Sequence, residues 1–169
     1  MKRVIILYFI LSYSNIVFGQ NEKFESVKSI IDKIESKEDL TKTIFDYHEL
    51  NPSLITKGST LEVWYGNGQI FKIKEWFPLS WGVFIGVTYF LENKPIKYLE
   101  IEKNFETEEK DHTKTIEVFK LEYYYLDCDS LLDCTKVNGK RIHSSGEIKY
   151  VTQAHLIPLK YAKKALKNF

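Results

Sequence analysis

The chain has 169 residues, of which 28% are charged and 15% aromatic, with 24 basic residues against 23 acidic. That length is enough for one domain with a real core. A near-neutral chain with no basic stripe argues against nucleic acid as a partner, because such binding depends on neutralising phosphates.

The N-terminus has the layout of a secretory signal peptide. Lys2 and Arg3 provide a positive region, Val4 to Leu11 is apolar, and Val17-Phe18-Gly19 offers small or moderate side chains for cleavage. The uncharged stretch from Val4 to Gln20 includes Ser12, Ser14 and Asn15. It is therefore marginal against the ~20 apolar residues a spanning helix needs. The expectation is a leader over 1–19 and a single α+β domain over 20–169, secreted or periplasmic, with no membrane span after cleavage. Loss of Lys2 and Arg3 leaves 22 basic against 23 acidic residues.

Residues 22–36 read as a helix. Phe24, Val27, Ile30, Ile31 and Ile34 recur at helical spacing, with Lys28, Asp32, Lys33 and Glu35 largely opposite. Lys42 to Glu49 carries the β-branched and aromatic residues that fit a pleated surface, and Asn51-Pro52 ends it. Antiparallel strands follow. Leu61–Tyr65 and Gln69–Phe77 flank Gly66-Asn67-Gly68, in which Asn-Gly signals a tight hairpin. Pairing through that turn sets Trp64 beside Phe71 on one face and Tyr65 beside Ile70 on the other. Val83–Leu91 and Ile96–Lys103 form a second hairpin around Glu92-Asn93-Lys94-Pro95. Thr115–Leu126 and Leu131–Val137 form a third around Asp127 to Ser130, and Asn138-Gly139 turns into a short edge strand at Lys140–His143. Glu102–Lys114 is a charged connection, and Pro158–Phe169 is a short amphipathic helix with Pro158 at its first position. The resulting fold class is α+β: an N-terminal helix packed on a mostly antiparallel meander sheet of about six or seven strands, closed by a short C-terminal helix.

The hairpins share one grammar. Trp64-Tyr65-Gly66-Asn67-Gly68-Gln69-Ile70, Tyr89-Phe90 before Glu92-Asn93, and Tyr124-Tyr125-Leu126-Asp127 before Leu131 each place an aromatic pair ahead of a polar turn and an aliphatic after it. In this the chain resembles a family of small exported bacterial proteins of unknown function with aromatic-pair, MORN-like β-hairpins. The resemblance implies architecture and export, and transfers no functional residues.

No motif for catalysis, metal or cofactor emerges. His143-Ser144-Ser145-Gly146 lacks the flanking glycines of a nucleophile elbow. The four histidines are scattered, and the acidic cluster Asp127, Asp129 and Asp133 lacks the glycine of a calcium loop. Cys128 and Cys134, the two cysteines, are candidates for a disulfide if the third turn centres on Leu131, and lie too far apart if it turns as its sisters do. The most informative segment is Trp76-Phe77-Pro78-Leu79-Ser80-Trp81-Gly82-Val83-Phe84, read as a link between hairpins. Trp76, Phe77, Trp81 and Phe84, with Trp64 and Phe71, are the candidate binding residues. They point to a non-catalytic exported binding protein with a protein partner, of the immunity or inhibitor kind in one version, or alternatively to a carrier of a small hydrophobic ligand in a pocket between sheet and helix.

Overall fold

A computed structural model describes residues 25–54, 56–106, 114–127, 130–136 and 145–167, with 126–136 and 145–154 described as backbone. The chain forms two compact units, Met1–Ser36 and Lys37–Phe169. The first contains helix α1 over 25–35. Its apolar stripe is realised as expected: Ile31 and Ile34 are buried, while Lys28, Asp32, Lys33 and Glu35 face solvent. Ser36 ends it, its N–H donating to the Asp32 carbonyl and its hydroxyl to the Lys33 carbonyl.

The second unit is a seven-stranded antiparallel meander in sequence order, with strands β1 Thr41–Asp46, β2 Thr60–Gly66, β3 Gln69–Leu79, β4 Gly82–Leu91, β5 Lys94–Phe105, β6 Thr115–Asp127 and β7 Ser130–Lys136. The helices α2 Tyr47–Leu50 and α3 Ser145–Leu166 complete it. The expected α+β class and strand order therefore hold, and each expected hairpin forms. At β2–β3, Asn67 and Gly68 both take positive φ, 50° and 71°, which is the twist a two-residue hairpin turn requires. The β4–β5 turn is tighter than the sequence suggested. Glu92 and Asn93 alone make it, both at positive φ, and Lys94-Pro95 already belongs to β5. Pro95 lacks an N–H, and it sits where the ladder shifts register beside Phe90.

Three boundaries differ from the sequence reading. β1 stops at Asp46, whose carboxylate accepts the Glu49 N–H at 3.1 Å and caps α2, so 47–50 turn away from the sheet. β3 and β4 run on through the aromatic segment to a two-residue turn at Ser80-Trp81, so that segment is a hairpin and not a link between hairpins. α3 begins at Ser145, with Pro158 inside it. An internal proline costs a helix about 3 kcal/mol. Here it is fully buried among residues that seal the core, and burial of Leu159 and Ala162 offsets the lost hydrogen bond. The expected Lys140–His143 strand lies outside the described residues.

Side chains alternate between the two sheet faces. On the α3 face, Tyr47, Leu61, Val63, Ile70, Ile73, Phe90, Leu159 and Ala162 form one core cluster. Tyr98, Leu121, Tyr123 and Tyr125 form a second. Tyr161 reaches from α3 to the buried Asn51, donating to its Oδ1 at 2.9 Å, which ties the helix to the β1–β2 connection.

Candidate functional site

The six candidate aromatics do not meet in one place. Phe77 and Phe84 are cross-strand partners on the α3 face, their ring centroids 5.7 Å apart, and Phe77 also packs on Tyr47 at 5.8 Å. They are core. Phe71 is the extra residue of a β-bulge: Trp64 pairs with Lys72 and Tyr65 with Ile70, so the expected Trp64–Phe71 pairing is displaced by one residue while Tyr65–Ile70 forms. Lys37 sits over the Phe71 ring at 4.9 Å.

Trp64 lies on the face away from α3, held between two ammonium groups, Lys42 at 4.8 Å and Lys72 at 4.7 Å. The register extends this into a row in which cations and aromatics alternate across six strands: Lys42, Trp64, Lys72, Tyr89, Lys97, Tyr124. Lys72 also faces Tyr89 at 5.5 Å, and Lys97 faces Tyr124 at 4.8 Å. Carboxylates flank the row. Glu62 pairs with Lys42 and Lys74 at 2.5 and 2.9 Å, and Glu122 with Lys97 at 2.8 Å. Burial alone would raise both carboxyls, but their lysine partners hold them below the usual carboxylate value. For Lys97, burial pulls downward and the hydrogen bonds to Glu122 and Tyr124 outweigh it, so its pKa rises. The row is internally satisfied, which makes it a face-stiffening device.

Trp76 and Trp81 remain. Trp76, Pro78, Val83, Ile85, Lys103, Phe105 and Thr115 line a concavity of about 410 Å³ that opens broadly to solvent on the face away from α3. It spans β3 to β6 at the end of the sheet where Ser80-Trp81 turns. Two local features shape it. A register shift opposite Glu102 and Lys103 leaves Val118 as the extra residue of a bulge that bends β6. Gly82 lets β4 approach β5 so closely that a Cβ there would stand 1.9 Å from the Lys103 carbonyl oxygen. Trp81 is 45% exposed, and its carbonyl accepts the Phe105 N–H at 3.0 Å. The concavity is therefore anchored at its outer end and apolar along its floor, with one lysine in its lining.

A second constellation on the α3 face was missed at the level of sequence. Glu75 pairs with Gly86, and Gly86 with Glu100, in one cross-strand row. Gly86 leaves room that other residues fill: a Cβ there would meet the Tyr98 hydroxyl at 2.9 Å and Glu75 Oε2 at 3.1 Å. Burial pushes the Glu75 carboxyl up to about 8, despite a hydrogen bond from Tyr47 that works the other way. Burial and the adjacent Glu75 push the Tyr47 and Tyr98 phenols upward. His155 of α3 stacks on Tyr98 with centroids 3.5 Å apart, and its Nδ1 is hydrogen-bonded to the Tyr125 hydroxyl. Burial lowers His155 to about 3, so its ring is neutral. Two hydrogen-bonded pairs, Tyr47 with Glu75 and Tyr125 with the neutral His155 ring, thus satisfy the buried polar groups of this cluster. Its signal was present in β3, where Glu75 shares a face with Ile73 and Phe77 by simple alternation.

The other sequence candidates are dispersed. His48 Nδ1 is hydrogen-bonded to the Leu54 carbonyl at 2.8 Å and braces a loop. Cys134 stands opposite Tyr123 and Asp127 opposite Ser130, which is the register in which the third hairpin turns like its sisters. Cys128, Asp129, His112 and His143 lie outside the described residues. Among the described residues no three His, Cys, Asp or Glu side chains gather as a metal site requires. No protein-family model matches the chain, and no curated protein or solved structure shows significant similarity to it.

Proposed function

We propose that the protein is an exported, non-catalytic binding protein, acting outside the cytoplasm, that receives a protein partner at the Trp76 concavity. The observation that carries this reading is the concavity itself: an open apolar hollow of about 410 Å³ with Trp76 in its lining and a half-exposed Trp81 on the adjoining turn. Tryptophan provides large contact area at low entropic cost, and hot spots cluster where such rings meet a pocket. Breadth of opening favours a partner's side chains over an enclosed small ligand. The volume falls within the range that small hydrophobic ligands occupy, so a carrier remains the second reading, on this open face and not in a pocket between sheet and helix. Lys103 would in either case favour an anionic group beside the apolar one.

Fluorine-labelled tryptophan tests this directly, because the chain has three tryptophans in distinct surroundings. On titration with fractions of the cell envelope, the resonances of Trp76 and Trp81 are expected to shift while Trp64, enclosed by its two lysines, stays in place. Thr115→Arg, at the concavity lining, is expected to abolish the shift. Binding that moves Trp64 alone, or that survives Thr115→Arg, would place the partner elsewhere.

A further inference from the structure

Among the described residues β1 is the terminal strand of the sheet; it is neither bulged nor proline-blocked, and the only charged residues it carries are Lys42 and Asp46. Its outward groups can be identified. Tyr47 N–H donates to the Ser59 carbonyl at 2.8 Å, and these two residues continue the β1–β2 register directly. In an antiparallel ladder hydrogen-bonded and non-hydrogen-bonded pairs alternate. Phe45, Thr43 and Thr41 therefore direct their backbone groups to β2, whereas Lys42, Ile44 and Asp46 direct theirs away from the sheet. These same three residues share one face, the one away from α3. Ile44 is 58% exposed there, with a lysine on one side and an aspartate on the other, both solvent-exposed.

We propose that β1 pairs with β1 of a second copy of this chain in antiparallel register, Ile44 opposite Ile44 and Lys42 opposite Asp46, joining the two sheets edge to edge. Several features select this register together. It is the one in which Ile44 exchanges both outward backbone bonds with its own copy and the outward Asp46 N–H meets the Lys42 carbonyl, the Asp46 carbonyl being already engaged as the N-cap of α2. It stacks the exposed isoleucine on its own copy. It also sets each lysine against an aspartate on both sides of the two-fold axis, so the surface is self-complementary in charge. A shift of two residues in either direction leaves one outward residue unpaired and removes the lysine–aspartate pairs. Within one copy Lys42 contacts Glu62 at 2.5 Å and the Asp46 carboxylate accepts the Glu49 N–H, so both side chains turn outward to make the pairs across the axis. Six residues of strand form a small interface beside the ~1,600 Å² of a standard one, which puts it among the weak, reversible associations.

Sedimentation of the purified protein across about 5 to 500 µM is expected to show reversible dimerisation. Ile44→Pro removes an outward N–H while sparing the bonds to β2. It is expected to raise the dissociation constant about tenfold or more with an unchanged circular dichroism spectrum. In a Cys128→Ser, Cys134→Ser background, Ile44→Cys is expected to form a disulfide-linked dimer under mild oxidation, because opposed hydrogen-bonded residues stand about 5.5 Å apart at Cα. Thr41→Cys should not. A protein that remains monomeric throughout, a dimer indifferent to Ile44→Pro, or equal trapping by Thr41→Cys would overturn the proposal. So would an edge that protects its Ile44 amide only when a foreign extended peptide is added.

Discussion

Glu75 and His155 sit on the same sheet face with opposite protonation economies, and together they set a pH profile for stability. Glu75 ionises at about 8 in the folded chain against 4.5 when free. Between those values the unfolded chain releases a proton that the folded chain keeps, so stability falls as pH rises, by about 1.4 kcal/mol per pH unit. His155 ionises at about 3 against 6.5. There the unfolded chain gains a proton that the folded chain refuses, so stability falls as pH drops from 6.5 towards 3. The two slopes cancel between 4.5 and 6.5. The expected profile is a plateau over that window, a fall of about 2 kcal/mol from pH 6.5 to 8, and an acid limb below 4.5. The acid limb is steepened by Glu62 and Glu122, whose lowered pKa values give stability that is lost as pH falls through them. Glu75→Gln removes the titration while its amide oxygen still accepts the Tyr47 hydroxyl. Its unfolding free energy, from urea titrations followed by tryptophan emission, should hold steady from pH 6.5 to 8 where the parent falls. It should rise, not plateau, between 4.5 and 6.5. Parallel profiles for the two proteins would refute the placement of Glu75 as a buried, proton-holding carboxyl.

Two further substitutions probe the same architecture. Gly82→Ala places a methyl 1.9 Å from the Lys103 carbonyl, where only backbone movement relieves it; thermal unfolding is expected to show a loss of about 3 kcal/mol or more. A loss under about 1 kcal/mol would mean that β4 and β5 do not approach so closely at the concavity. Tyr125→Phe strips the partner from the buried His155 Nδ1 and is expected to cost about 1 to 3 kcal/mol. It should also shift the ring-nitrogen resonances of His155, and unchanged resonances would refute the pairing.

Whatever depends on a few neighbouring residues was legible before folding. The α1 stripe is legible because Val27, Ile31 and Ile34 recur at the helical period, and the β2–β3 hairpin because Asn67-Gly68 tolerates positive φ at both positions. The pairings of β2 with β3, β3 with β4, β4 with β5 and β6 with β7 followed from such short turns, while the longer β1–β2 and β5–β6 connections left their pairing to the tertiary structure. Tertiary structure decided where strands stop and which way side chains face. β1 ends at Asp46 because its carboxylate caps α2, and the Phe71 bulge moves Trp64 from Phe71 to Lys72. Trp76 and Phe77 take opposite faces by alternation, and the bulge decides that Trp76 faces the concavity and Phe77 the core. His155 was hidden for a related reason. Pro158 reads locally as a helix start, yet the helix runs thirteen residues further back, since burying its apolar face on the sheet outweighs one lost backbone bond. Only that longer helix brings His155 onto Tyr98 and Tyr125, and only the assembled sheet gives Glu75 a glycine to lean over.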